Sequence, residues 1–121
     1  MARILIVDDS PTEIHVLKTM LEKHGFETFS AESGEDGVVR AAEDKPDLIL
    51  MDIVMPGMNG FQATRKISST EETKEIPIII VTTKDQETDR VWGLRQGAKD
   101  YLTKPVDEKV LLEKITALLG G

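Results

Sequence analysis

The sequence predicts an α/β domain, a doubly wound (βα)5 unit with one five-stranded parallel sheet between two layers of helices. Three observations lead there. Short apolar runs recur along the chain, longer segments with helical spacing separate them, and the main runs end at aspartate, threonine or lysine. Continuous apolar strands suit a sheet buried on both faces. Strands that alternate with helices pair in parallel, with helices on both sides.

The first run, Ile4-Leu5-Ile6-Val7, stops at Asp8-Asp9. Ser10-Pro11-Thr12-Glu13 reads as a helix start: Ser10 caps, Pro11 fits the first helical position, and Glu13 completes a capping box. Ile14, Leu17 and Leu21 continue at helical spacing to a stop at Gly25. A second, weaker strand spans Phe26 to Ser30. A helix follows from Gly34 to Asp44, with Val38, Ala41 and Ala42 facing inward, and Pro46 breaks it. Leu48-Ile49-Leu50-Met51 is the third strand and ends at Asp52.

Met55-Pro56-Gly57-Met58-Asn59-Gly60 is turn chemistry, and a helix runs from about Phe61 to Ser68. Ser69 to Glu75 is a polar loop. Pro77 opens the strand Ile78-Ile79-Ile80-Val81, which ends at Thr82-Thr83. The next helix covers about Gln86 to Gln96 and stops at Gly97, with Val91 and Leu94 facing the sheet and Trp92 partly exposed. Asp100 to Thr103 is the fifth strand, ending at Lys104-Pro105, and Asp107 caps a last helix to Leu119.

A length of 121 residues suits one domain. The expectation is a single domain over 1–121 with no output domain after Gly121. Lys and Arg total 15 against 22 Asp and Glu, a formal charge of -7, which argues against direct binding to nucleic acid or anionic lipid. The absence of cysteine removes disulfides, thiolate metal sites and thiol catalysis together. No apolar stretch is long enough to span a bilayer, so the expectation is a small, soluble, intracellular domain.

Ligands of doubly wound sheets sit at the carboxyl ends of the strands, near the point where strand order reverses. That edge collects Asp8-Asp9, Asp52, Thr82 and Lys104. Crowded carboxylates raise one another's pKa unless a cation compensates, and one lysine is not enough. A hard divalent cation with oxygen ligands supplies the remainder, and Mg²⁺ fits because it needs only a few carboxylates. Such an edge suits phosphoryl transfer, with Asp52 as the nucleophile that forms an aspartyl phosphate. Lys104 and Thr82 would contact the equatorial oxygens of the transferring group.

Asp8-Asp9, Asp52 with Met55-Pro56-Gly57 and Gly60, Thr82, and Tyr101-Leu102-Thr103-Lys104-Pro105 stand in this order. Together they resemble the receiver domain of two-component response regulators (CheY-like) over essentially the whole chain. The resemblance implies a flavodoxin-like, three-layer sandwich and a signalling domain rather than an enzyme, assisting only its own phosphorylation and dephosphorylation. It implies Asp52 as phosphoacceptor, and Mg²⁺ bound directly by Asp9 and Asp52, through water by Asp8, and by the backbone carbonyl of Val54. Thr82 and Tyr101 match the switch pair, and Lys104 the lysine whose bond to Pro105 is cis. The output face would be the fourth helix, fifth strand and fifth helix.

Thr82-Thr83-Lys84-Asp85-Gln86-Glu87, within Pro77 to Glu108, is most similar to stand-alone receivers of type IV pilus (twitching motility) chemosensory systems. The implied partners are a histidine kinase, CheA-like or with phosphotransfer domains, and a downstream effector protein. The implied state is a monomer or a weak, phosphorylation-dependent dimer in the bacterial cytoplasm. Two rivals use the same residues: an aspartate-nucleophile phosphohydrolase, which normally wants a second acid/base aspartate where Ile53-Val54 stand, and a flavodoxin-like electron carrier, which needs a phosphate loop where Asp8-Asp9 stand. His15 and His24, both assigned to the first helix, read as surface residues. Met51, Met55 and Met58 read as packing and loop residues, and Glu71-Glu72 as a solvated loop. Tyr101 suits either core or a partner surface.

Overall fold

A computed structural model describes residues 1–120; Gly121 lies outside the described residues. The elements alternate strictly: β1 (Arg3–Val7), α1 (Pro11–Glu22), β2 (Glu27–Ala31), α2 (Gly34–Asp44), β3 (Leu48–Met51), α3 (Gly60–Ser69), β4 (Ile78–Thr82), α4 (Glu87–Arg95), β5 (Asp100–Thr103) and α5 (Glu108–Leu118). The five strands form one parallel sheet in the order β2-β1-β3-β4-β5. The predicted fold class holds, and strand boundaries differ from the sequence reading by a residue at most.

Side chains alternate across each strand, so each face of the sheet gathers its own apolar layer. Ile4, Ile6, Leu48, Leu50, Ile79 and Val81 meet α1 and α5 through Ile14, Leu17, Leu21, Leu111 and Ile115. Leu5, Val7, Ile49, Met51 and Ile78 meet α2 and α3 through Ala41, Ala63 and Ile67. Each fully buried Leu or Ile contributes about 1.5–3 kcal/mol. A third, smaller cluster of Ile53, Ile80, Ala98 and Tyr101 underlies α4.

The register brings the strand ends level, with Val7 opposite both Ala31 and Met51 and Thr82 opposite Thr103. The ladder continues one residue past three strands. Asp8 N donates to Ala31 O at 3.1 Å, Asp52 N to Val7 O at 2.9 Å, and Lys104 N to Thr82 O at 2.8 Å. The backbones of the three charged residues are therefore part of the sheet.

Three local expectations are corrected. Ser10 caps α1 by accepting from Glu13 N at 3.3 Å, but the capping box does not close. Ser10 N donates instead to Asp8 Oδ1 at 2.9 Å, which leaves the Glu13 carboxylate free to face elsewhere. The inner face of α2 is Gly34, Gly37 and Ala41, with Val38 half-buried and Ala42 exposed. Gly37 sets that face, since a Cβ there would stand 2.9 Å from Val7 Cγ1. On α4 the buried residue is Gly93, while Val91 and Trp92 are both exposed. A Cβ on Gly93 would lie 2.5 Å from Ile80 Cδ1, so the line of closest approach runs through the glycine and turns Val91 outward. Leu94 packs against the cluster and Trp92 is half-exposed, as the sequence implies.

Met51 and Met55 are buried and Met58 is partly so, which makes them packing residues. Glu71 and Glu72 are exposed. His24 falls beyond α1 and pairs with Glu108 at 2.8 Å, so it ties α1's end to α5. No helix among the described residues is long and apolar enough to cross a membrane.

Candidate functional site

Asp8, Asp9 and Asp52 each place one carboxylate oxygen so that all three lie within 4.8 Å of one another. Asp8 follows β1 and Asp52 follows β3, neighbouring strands at the reversal of strand order. Both are buried, whereas Asp9 is exposed. Asp8 Oδ1 accepts from Ser10 N, and its Oδ2 accepts from Lys104 Nζ at 2.7 Å. Asp52 Oδ1 accepts from Ile53 N at 2.7 Å, and its Oδ2 lies 3.4 Å from Lys104 Nζ. Gly60 makes room for that strand end: a Cβ there would stand 1.9 Å from Asp52 O.

One ammonium serves this edge, and it is shared further. Glu13 Oε1 lies 3.6 Å from Lys104 Nζ. Burial pushes the Asp8 carboxyl up, aided by the charge of Asp52 and outweighing the hydrogen bonds from Lys104 and Ser10. Burial would depress Lys104, but the Asp8 hydrogen bond and the charges of Asp52, Asp8 and Glu13 prevail and raise it. Lys104 is therefore a fixed cation among too many anions. The donors left over are carboxylate oxygens, the chemistry that suits a hard divalent cation such as Mg²⁺.

Thr82 and Tyr101 stand beside this cluster rather than in it. Thr82 is fully buried and its hydroxyl accepts from Lys84 N at 3.4 Å. Tyr101 is buried against Ile53, Ile80 and Ala98, so it belongs to the core. Its hydroxyl donates to the carbonyl of Lys84 at 2.7 Å. The backbone of Lys84 thus joins the two side chains, a link that sequence reasoning missed because peptide groups carry no residue signature. Burial, with the charges of Asp89, Asp85 and Asp52, pushes the Tyr101 hydroxyl up to about 12. The Val54 side chain is 54% exposed between buried Ile53 and Met55. The Lys104–Pro105 peptide is cis, as the resemblance implies.

Two further carboxylate contacts were not anticipated: Glu13 lies 3.6 Å from Lys104 Nζ, and Glu35 Oε2 accepts from Met58 N at 3.0 Å in the turn that follows Asp52. Both contacts join residues far apart in the chain, and only the fold reveals them.

The family model of the response regulator receiver domain matches residues 4–116. This chain belongs to that family. Among curated relatives, the receiver is 68% identical to Protein PilH of Pseudomonas aeruginosa over the full length of both chains. It is 40% identical to Response regulator PleD of Caulobacter vibrioides, over 97% of this chain and 26% of that one. Among solved structures, it is similar to the receiver domain of a sensor histidine kinase from Pseudomonas aeruginosa PAO1, described with a magnesium ion coordinated in its active-site cleft. That match has a TM-score of 0.91 and 32% identity, and covers 99% of this chain and 98% of that one. A CheY-like receiver from Methanospirillum hungatei gives a TM-score of 0.91 at 32% identity, covering 99% and 94% of the two chains. Neither the phosphohydrolase nor the electron-carrier reading is favoured by these likenesses. The receiver is a signalling protein of a two-component system with an acidic cluster compatible with Mg²⁺.

Proposed function

We propose that this receiver takes a phosphoryl group onto Asp52 from a phosphohistidine of a CheA-like kinase or a phosphotransfer domain. The observation that carries the reading is Lys104 Nζ, held between Asp8 and Asp52 at the edge where three carboxylates converge. A carboxylate oxygen of Asp52 attacks phosphorus, and the new P–O bond forms as the P–N bond breaks. The departing imidazole nitrogen keeps the electron pair, and a proton on its other nitrogen leaves the ring neutral. Lys104 is already charged and desolvated, so it can meet a phosphoryl oxygen with little reorganisation. Mg²⁺, held by Asp9, Asp52 and the Val54 carbonyl directly and by Asp8 through water, would supply positive charge against the phosphoryl oxygens.

Thr82 would turn toward the new phosphoryl group, giving up its long contact with Lys84 N. Tyr101 already lies inward on the Lys84 carbonyl. We take that position as the one phosphorylation favours over a state with the ring outside, a two-state element biased by a local charge event. The readout would be the face of α4, β5 and α5, where Trp92 is half-exposed. The likeness to PilH supports a place in pilus-based twitching motility, in the bacterial cytoplasm.

The test is Phos-tag mobility of wild type and Asp52→Ala after acetyl phosphate and Mg²⁺. A retarded band for wild type that is absent from Asp52→Ala is the expected result. A band retained by Asp52→Ala would move the acceptor elsewhere.

A further inference from the structure

We infer that Glu35, in the first turn of α2, is a positioning residue for Mg²⁺: it clamps the turn between β3 and α3 and so fixes the Val54 carbonyl beside Asp52. The inference rests on reading Asp8, Asp9, Asp52 and Val54 as the metal's ligands.

The turn is held at both ends by backbone hydrogen bonds. Asp52 N is bound to Val7 O, and Gly60 N donates to Ile53 O at 2.9 Å. Asn59 and Gln62 then close a capping box that starts α3. Between these ends Met55 is buried, but Val54, Pro56 and Gly57 are exposed. Among the described residues, Glu35 is the only side chain from another element hydrogen-bonded to residues 53–58, through Met58 N at 3.0 Å.

Two glycines shape the contact. Gly57 has φ +73, and a Cβ there would stand 2.8 Å from Glu35 Oε2. Gly34, immediately before Glu35, would meet Met58 O at 2.6 Å with a Cβ. The turn and the start of α2 therefore interlock: one glycine on each side admits the other's polar atoms. Glu35 also sits where a helix favours negative charge. Its own N–H and that of Met58 hold its carboxyl below the usual range, so it is an anion at neutral pH.

Losing the clamp costs the fold little, because Met58 N–H is near solvent and water can replace the carboxylate. It costs the metal more. Mg²⁺ demands near-octahedral geometry at short distances, and a carbonyl on a loosened turn meets that demand less often. Groups that orient ligands typically change metal affinity by about 10–100-fold when removed.

The experiment uses the full chain as wild type, Glu35→Ala, Glu35→Gln and Gly57→Ala. MgCl₂ is titrated while backbone amide NMR shifts near Asp9 and Ile53 are followed, with hydrogen exchange at Met58 and melting temperature measured alongside. Glu35→Ala should melt close to wild type, expose the Met58 amide and weaken Mg²⁺ roughly tenfold. Glu35→Gln keeps an acceptor oxygen and should stay within about threefold of wild type. Gly57→Ala crowds Glu35 Oε2 and also strains the turn at φ +73, so it should weaken Mg²⁺ at least as much as Glu35→Ala does. A folded Glu35→Ala with an exposed Met58 amide and unchanged Mg²⁺ affinity would overturn the inference. So would weakening in Glu35→Ala that Glu35→Gln does not relieve. Absence of any Mg²⁺ response in wild type would instead overturn the ligand assignment, and the clamp's role with it.

Discussion

Lys104 Nζ donates to Asp8 Oδ2 at 2.7 Å, so the loop after β5 is bound to the end of β1 across the intervening β3 and β4. Both side chains are almost fully buried, at 9% and 3% exposure. Removing one partner of such a pair leaves the other charge without compensation, at a cost of about 3–5 kcal/mol. Lys104→Ala should therefore lower stability by roughly 3 kcal/mol in urea titrations without metal. Mg²⁺ should restore more stability to this variant than to wild type. Lys104→Arg should rescue poorly, because a planar fork does not replace a point ammonium. Wild-type stability in metal-free Lys104→Ala would refute the pairing.

Three carboxylates share that edge with one ammonium, and Mg²⁺ should stabilise the folded state by mass action. At ten times its dissociation constant the increment is about 1.4 kcal/mol. Asp9→Asn removes one like charge, so the metal-free variant should melt above metal-free wild type and gain less from Mg²⁺. Thermal melts with and without millimolar Mg²⁺ decide it; identical behaviour of the two proteins would sink the idea.

Glu13 competes for the same ammonium at 3.6 Å, and its side chain is 42% exposed. If Asp52 accepts the phosphoryl group as proposed, the Glu13 charge would also repel the incoming anion. Glu13→Gln should speed phosphorylation by acetyl phosphate about threefold, matching ~0.6 kcal/mol for a part-exposed ion pair. The gain should shrink in high salt. An unchanged rate constant in low salt would show that Glu13 does not restrain Lys104.

Tyr101 is the only tyrosine in the chain, so its ionisation can be followed by ultraviolet absorbance. Its midpoint should lie near 12 rather than 10.0, because the hydroxyl is partly buried and lies in the field of Asp89, Asp85 and Asp52. The folded state then holds the proton more tightly than the unfolded state. Stability is unaffected while both forms are protonated, and it falls as pH rises from about 10 to about 12. Tyr101→Phe should abolish that fall, and Asp89→Asn should lower the midpoint. An unshifted titration would place the ring in solvent.

Much of this was legible in the residues. The apolar runs and their terminal Asp8, Asp52 and Lys104 announced both the sheet and the edge where its charged groups gather, because a strand buried on both faces has one pattern and ends abruptly. Ser10 and Asp107 marked helix starts through local hydrogen bonds that depend on only a few residues. What escaped was set by close approach between distant segments. Gly37 against Val7 and Gly93 against Ile80 rotate α2 and α4 relative to their apolar periodicity, and glycine contributes nothing to that periodicity. The Glu13 and Glu35 contacts escaped for a related reason. A carboxylate near a helix start already has a local explanation, and the partners come from other parts of the chain.

Gly93 is the one residue of α4 that is fully enclosed, and the cluster beneath it is the smallest of the three. The layers under α1 and α5, and under α2 and α3, are the two larger apolar clusters, so those helices rest on more buried side chains. At α4 cohesion rests on the close approach at Gly93, on Leu94 against that small cluster and, just before the helix, on the Tyr101 bond to Lys84. Local opening there should require far less free energy than global unfolding. The molecule thus divides into a large cooperative block and a weakly fastened margin. On the proposed phosphorylation of Asp52, that margin is where a modest energetic input would redistribute conformations while the rest of the chain stays folded.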